Sequence, residues 1–229
     1  SSGGIFNLGH CNPAIVQTLK EALDEGLDLG DHQLLSEQRA LLGQKMAELL
    51  PGDISKTTFG VSGGEAIDCA IKFSRAYTKR NDCVSALGGY HGHTGFALAT
   101  GDPNFKDNFL WNLPGFKQVP FGDAKAMRKA VDKNTSCVIL ETIPATAGVL
   151  IAPEGYFPEV REICDDTGAM MIIDEVQAGL GRTGHFWAIY GGMYPNEKVV
   201  PDFMVLSKGL SAGIYPLSTC SYKPFIEKA

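Results

Sequence analysis

The sequence holds no C-x-x-C pair, no long run of lysine or arginine, no internal repeat and no low-complexity segment. Its six cysteines (Cys11, Cys69, Cys83, Cys137, Cys164 and Cys220) are scattered, and several sit inside apolar runs. They read as buried free thiols of a reducing compartment rather than as a disulfide framework. No stretch approaches the roughly 18 apolar residues of a membrane span. The start, Ser1-Ser2-Gly3-Gly4, lacks the charged and apolar regions of a signal peptide. The expectation is a cytoplasmic protein with no membrane partner. A net charge of −6 without any basic run argues against nucleic acid or an anionic surface as the main partner, and for a small molecule.

What is present suffices for a substantial core, since 44% of the 229 residues are hydrophobic and no linker divides the chain. One domain is expected. Capping and periodicity predict helices over Asn12 to Gly26, Leu34 to Leu50, Gly63 to Arg80, Asp123 to Asp132 and Pro153 to Thr167. Between them, Thr57 to Val61, Cys83 to Leu87, Cys137 to Glu141, Ala169 to Asp174 and Phe203 to Ser207 are short apolar runs. They read as strands buried on both faces. The alternation implies an α/β fold, a mostly parallel sheet covered by helices, whose ligands bind beyond the carboxyl ends of the strands.

Those ends carry polar residues and glycines: Ser62-Gly63-Gly64, Gly88-Gly89-Tyr90-His91-Gly92-His93, Glu141, Asp174-Glu175 and Ser207-Lys208-Gly209. Gly63 and Gly64 open a helix directly after a strand, where free N–H groups and the helix dipole favour a phosphate. A plain tight turn explains them equally well. Tyr90 offers a flat face for stacking on a ring, or simply packs. Asp174 emerges from an apolar strand and requires a cation or a strong donor. Lys208 ends its strand in the same way, and a desolvated lysine becomes a nucleophilic amine. A structural ion pair between Asp174 and Lys208 accounts for both as readily as catalysis does.

Several motifs mislead. Ala169 to Glu175 resembles the acidic strand of a P-loop ATPase, yet no G-x-x-x-x-G-K-[ST] accompanies it. Gly179-Leu180-Gly181-Arg182-Thr183-Gly184 matches G-x-G-x-x-G without the helical pattern a dinucleotide site needs. His91 and His93 have no carboxylate or cysteine at ligand spacing beside them, so no metal is expected.

Taken in order, Phe6-Asn7-Leu8-Gly9-His10, Val61-Ser62-Gly63-Gly64-Glu65-Ala66, Tyr90-His91-Gly92, Ile173-Asp174-Glu175-Val176-Gln177-Ala178-Gly179-Leu180-Gly181-Arg182-Thr183-Gly184 and Leu206-Ser207-Lys208-Gly209 resemble the class III (ω-type) aminotransferases of fold type I. The resemblance implies a three-layer α/β/α large domain that binds pyridoxal 5′-phosphate (PLP) over residues 1–229, with a smaller C-terminal domain beyond Ala229. It implies Lys208 as the Schiff-base lysine and proton shuttle and Asp174 as the partner of the ring nitrogen. Gly63 and Gly64 would bind the phosphate, Tyr90 and Val176 flank the ring, Gln177 reach the phenolic oxygen and His91 lie at the cofactor. Glu141 is carried over as a substrate-side residue, and the G-x-G-x-x-G loop as a structural feature. The implied protein is a homodimer with shared sites, taking an amino donor and a keto acid.

The match departs at Glu141-Thr142-Ile143-Pro144-Ala145-Thr146-Ala147-Gly148, where Thr146 replaces the second glutamate of the family loop. That glutamate pairs with an arginine in ornithine-type members, so ornithine, acetylornithine and 4-aminobutyrate are disfavoured as donors. Gly64 also replaces the commoner Ser or Thr of the phosphate turn. Residues reading the donor are expected partly in the loops Gly30 to Leu35 and Leu110 to Gly115. Amino-group transfer is the primary reading, with an aminomutase, racemase or decarboxylase on the same core, or an incompetent fragment, as alternatives.

Overall fold

The most apolar runs of the chain become the middle of one sheet. In the computed structural model, which describes residues 2–27, 36–109, 112–191, 194 and 198–228, the strands are β1 (Lys56–Gly60), β2 (Asp82–Ala86), β3 (Phe116–Val119), β4 (Thr135–Glu141), β5 (Met170–Asp174), β6 (Phe203–Leu206) and β7 (Ser218–Tyr222). They form a seven-stranded sheet in the order β1-β7-β6-β5-β4-β2-β3. Only β7 runs against its neighbours, being antiparallel to β1 and to β6. Every residue of β4, β5 and β6 is buried.

Alternation along these strands builds the three layers. Val138, Leu140, Met171, Ile173, Met204 and Leu206 point to one face. There they meet Phe157, Val160 and Ile163 of the helix Tyr156–Thr167 and Met127 of the helix Ala124–Ala130. Cys137, Ile139, Ile172, Phe203 and Val205 point to the other, against Ala66, Ile67, Ala70 and Ile71 of the helix Gly63–Thr78. Each large side chain so buried contributes about 1.5–3 kcal/mol, which makes these two apolar layers the main stabilising term.

The expected helices over Asn12 to Gly26, Gly63 to Arg80, Asp123 to Asp132 and Pro153 to Thr167 are observed as Pro13–Asp24, Gly63–Thr78, Ala124–Ala130 and Tyr156–Thr167. That over Leu34 to Leu50 is observed as Glu37–Leu49; residues 34 and 35, like the rest of 28–35 and residues 110 and 111, lie outside the described residues.

Three expectations are corrected. Thr57 to Val61 is not a strand buried on both faces: β1 lies at the sheet edge, its residues are half-buried, and Val61 is 65% exposed. β3 and β7 are unanticipated, because β3 is a short edge strand containing Lys117 and Gln118, and β7 is rich in serine and threonine rather than aliphatics. Cys11 is exposed and Cys69 half-buried, whereas Cys83, Cys137, Cys164 and Cys220 are buried free thiols. No described helix is long and apolar enough to cross a membrane.

Candidate active site

The helix Gly63–Thr78 starts where β1 ends. Ser62 caps it, its Oγ accepting from the Glu65 N–H at 3.2 Å, while Glu65 Oε2 accepts from the Val61 N–H at 2.7 Å. The N–H groups of Gly63 and Gly64 have no acceptor among the described residues and face a pocket of about 610 Å³. This turn is tightly packed. A Cβ on Gly92, whose φ is +122°, would fall 2.7 Å from Gly64 Cα.

Asp174, the last residue of β5, is 5% exposed. Its Oδ1 accepts from the Val176 N–H at 3.0 Å, and its Oδ2 lies 2.9 Å from His91 Nδ1. The donor that Asp174 requires is thus His91, and Asp174 and Lys208 form no ion pair. The structural-pair explanation of those two residues is overturned. Lys208 begins a short 3₁₀ turn (Lys208–Ser211) with φ +35° and is half-buried; its Nζ stands 6.0 Å from the centre of the Tyr90 ring.

Tyr90 is held by its edges. Its ring packs on Phe105 and His93 at 5.0 and 5.2 Å, and its hydroxyl is 3.0 Å from His93 Nδ1. Burial, then the charges of Asp174 and Glu141, push the phenol's pKa up. Val176 lies against Gly63, where an added Cβ would meet both its methyl groups at 3.4 Å. The Gln177 side chain comes within 3.3 Å of where a Cβ on Gly3 would be, so residues 3 and 4 pack over this end of the site.

Gly63, Gly64, Tyr90, His91 and Asp174 line the pocket, as do Val176, Gln177 and Lys208. Glu141 does not line it: its carboxylate is 5% exposed and accepts from the Tyr90 N–H at 2.8 Å. Ile5, Thr94, Tyr215 and Leu217 also line the pocket and are missed by sequence reasoning. Tyr215 and Leu217 lead into β7, and recognising that polar strand was the available signal.

The G-x-G-x-x-G loop is a series of turns without a following helix. Asn7 Nδ2 donates to the carbonyls of Gly179 and Leu180, and Arg182 donates to Asn7 Oδ1, so this loop braces the N-terminal segment. No group of three or more His, Cys, Asp or Glu side chains among the described residues is placed to hold a metal ion.

Residues 1–227 match the family model for class-III aminotransferases. The chain belongs to that family. Its members depend on PLP. An uncharacterized aminotransferase of Archaeoglobus fulgidus is 59% identical over 222 residues, covering 97% of this chain and 51% of that protein. The acetylornithine aminotransferase of Methanopyrus kandleri is 41% identical, covering 90% of this chain and 52% of its own length. Among solved structures, an ornithine aminotransferase of Toxoplasma gondii, described with PLP partially occupying its active site, superposes with a TM-score of 0.89. It is 25% identical and covers 99% of this chain and 54% of its own. The chain spans about half the length of the curated relatives it matches.

Proposed function

We propose that residues 1–229 form the large, cofactor-binding domain of a PLP-dependent aminotransferase that moves an amino group from an amine or amino acid to an α-keto acid. The carrying observation is that Lys208 and Asp174 both face one pocket without pairing to each other, beside two free N–H groups at a helix start. These residues fit PLP. The free N–H groups of Gly63 and Gly64 suit its phosphate, the Asp174 carboxylate suits a protonated ring nitrogen, and the Lys208 amine suits its aldehyde.

When bound, PLP supplies an electron sink for the pair left as a substrate C–H bond breaks. Asp174, aimed by His91 and the Val176 N–H, would hold the proton at the ring nitrogen. Tyr90 and Val176 would confine the ring, and Gln177 would hold its phenolic oxygen. Lys208 Nζ is the amine that would hold the cofactor through its aldehyde. The same Lys208 amine would be the group that moves the proton at the substrate carbon. Residues 3 and 4, packed over Gln177, help to keep water out.

The protein is read as a cytoplasmic homodimer with shared sites. Val61 and Tyr215 support the shared site, since both line the pocket and are exposed, leaving an apolar rim for a second copy to cover. Thr146 is exposed and carries no charge to engage an arginine, so the reading favours donors other than ornithine, acetylornithine or 4-aminobutyrate.

The test is borohydride reduction of the full-length protein with PLP, followed by peptide mapping. A label on Lys208, absent in Lys208→Ala, is expected, together with turnover that stops without a keto acid. A colourless, unlabelled full-length protein would overturn the reading. Sustained turnover with no keto acid would instead make transamination the wrong reaction.

A further inference from the structure

Glu141 is a buried acid that does not line the pocket. It ends β4 directly opposite Asp174, its register partner on β5, so two carboxylates stand side by side at the floor of the site. The loop between β2 and the helix Gly95–Thr100 is pinned by both. Glu141 Oε1 takes the Tyr90 N–H at 2.8 Å, and Asp174 Oδ2 takes the ring of the next residue, His91, at 2.9 Å. Asp102 Oδ2 holds the start of the same loop through the Gly88 N–H at 2.8 Å. The His91 imidazole and the Glu141 carboxylate are neighbours: a Cβ on Gly89 would lie 3.3 Å from His91 Nε2 and 3.9 Å from Glu141 Oε1. A bare structural acid would need only its hydrogen bond; this one also has a buried ionisable ring beside it.

Resting on the PLP reading above, we propose that Glu141 is a positioning residue for the cofactor ring, clamping the Tyr90 backbone and supplying the second negative charge that faces His91 behind Asp174.

The electrostatics agree. Burial pulls the His91 pKa down, but the hydrogen bond to Asp174 and the charges of Asp174 and Glu141 outweigh it and hold the imidazole above its usual value. Burial drives Glu141 up to about 7, against the pull of His91, the Tyr90 N–H and Lys208 and with the push of Asp174. The charges of Glu141 and His91 are therefore coupled, each favouring the ionised form of the other. The other groups facing them are the Tyr90 phenol, Lys208 and, through Asp174, Glu175. Losing the Glu141 charge must lower the His91 pKa, while Asp174 keeps its hydrogen bond.

The experiment uses the full-length protein, stripped of cofactor, and follows the imidazole proton resonances against pH, with His91 assigned by its loss in His91→Asn. Glu141→Gln keeps an oxygen for the Tyr90 N–H and removes the charge; the His91 midpoint is expected to fall by about one pH unit. Glu141→Ala also removes the acceptor, and PLP binding, followed by fluorescence quenching, is expected to weaken about tenfold, more than in Glu141→Gln. An unchanged His91 midpoint in Glu141→Gln would overturn the charge role, and wild-type PLP affinity in Glu141→Ala would overturn the clamp. If Glu141→Ala does not fold, the comparison of Glu141→Gln with wild type decides. Failure of the wild type to take PLP on Lys208 would sink the cofactor reading, and the apoprotein titration would still decide the charge role.

Discussion

Glu175 follows Asp174 directly, yet it points away from the pocket into the fold. Its Oε1 accepts from the Thr142 hydroxyl at 2.7 Å and the Ile189 N–H at 2.8 Å, and its Oε2 from the Ala188 N–H at 3.0 Å. Burial raises its pKa to about 7 from 4.5, despite those three donors. The folded state therefore keeps a proton that the unfolded chain has lost, and stability falls as pH rises from about 4.5 to about 7. His91 acts in the same sense, because a raised imidazole stabilises below its unfolded pKa and stops doing so as pH rises through its folded one. Glu175→Gln is expected to lose roughly 1–3 kcal/mol at pH 5, since the amide must turn a donor toward a backbone N–H. It should also flatten the fall in stability toward pH 8, as urea denaturation at both pH values would show. At this scale the sequence marks Asp174 as needing a partner but leaves its identity open. His91 is 83 residues away in sequence, and only the pairing of β2, β4 and β5 brings it there.

The helix Gly63–Thr78 was legible because its cap, its glycines and its apolar face are contiguous in the chain. What presses on its first turn was not. Gly92 belongs to another loop, adopts φ +122° and leaves no room for a side chain against Gly64. Gly92→Ala is expected to cost about 1–3 kcal/mol by forcing both a left-handed conformation and a backbone collision. Because the collision displaces the N–H groups at the helix start, PLP affinity should fall along with the melting temperature. A melting temperature within a degree of wild type would contradict this packing. The buried strands were legible for the same local reason, as apolar runs of strand length. β3 and β7 were not, because an edge strand and a Ser/Thr-rich strand gain their place from the partners they hydrogen-bond.

For the whole molecule, the pocket opens at the carboxyl ends of the parallel strands with Val61 and Tyr215 exposed at its rim. In the full-length protein a dimer mass is expected by light scattering, and Val61→Asp should shift the equilibrium toward monomer and weaken PLP binding together. Monomer alone at micromolar concentration would contradict shared sites. The alternation of apolar runs with capped helices was enough to dictate a helix-covered, largely parallel sheet, because strand length, helix period and capping are local properties that each segment carries with it. The motif order likewise pointed to the family. The reversed direction of β7, the separation of Lys208 from Asp174, the seating of His91 behind Asp174 and the removal of Glu141 from the pocket wall were decided only by the folded chain. They depend on which strands become neighbours, and that choice is made by burying two apolar layers at once.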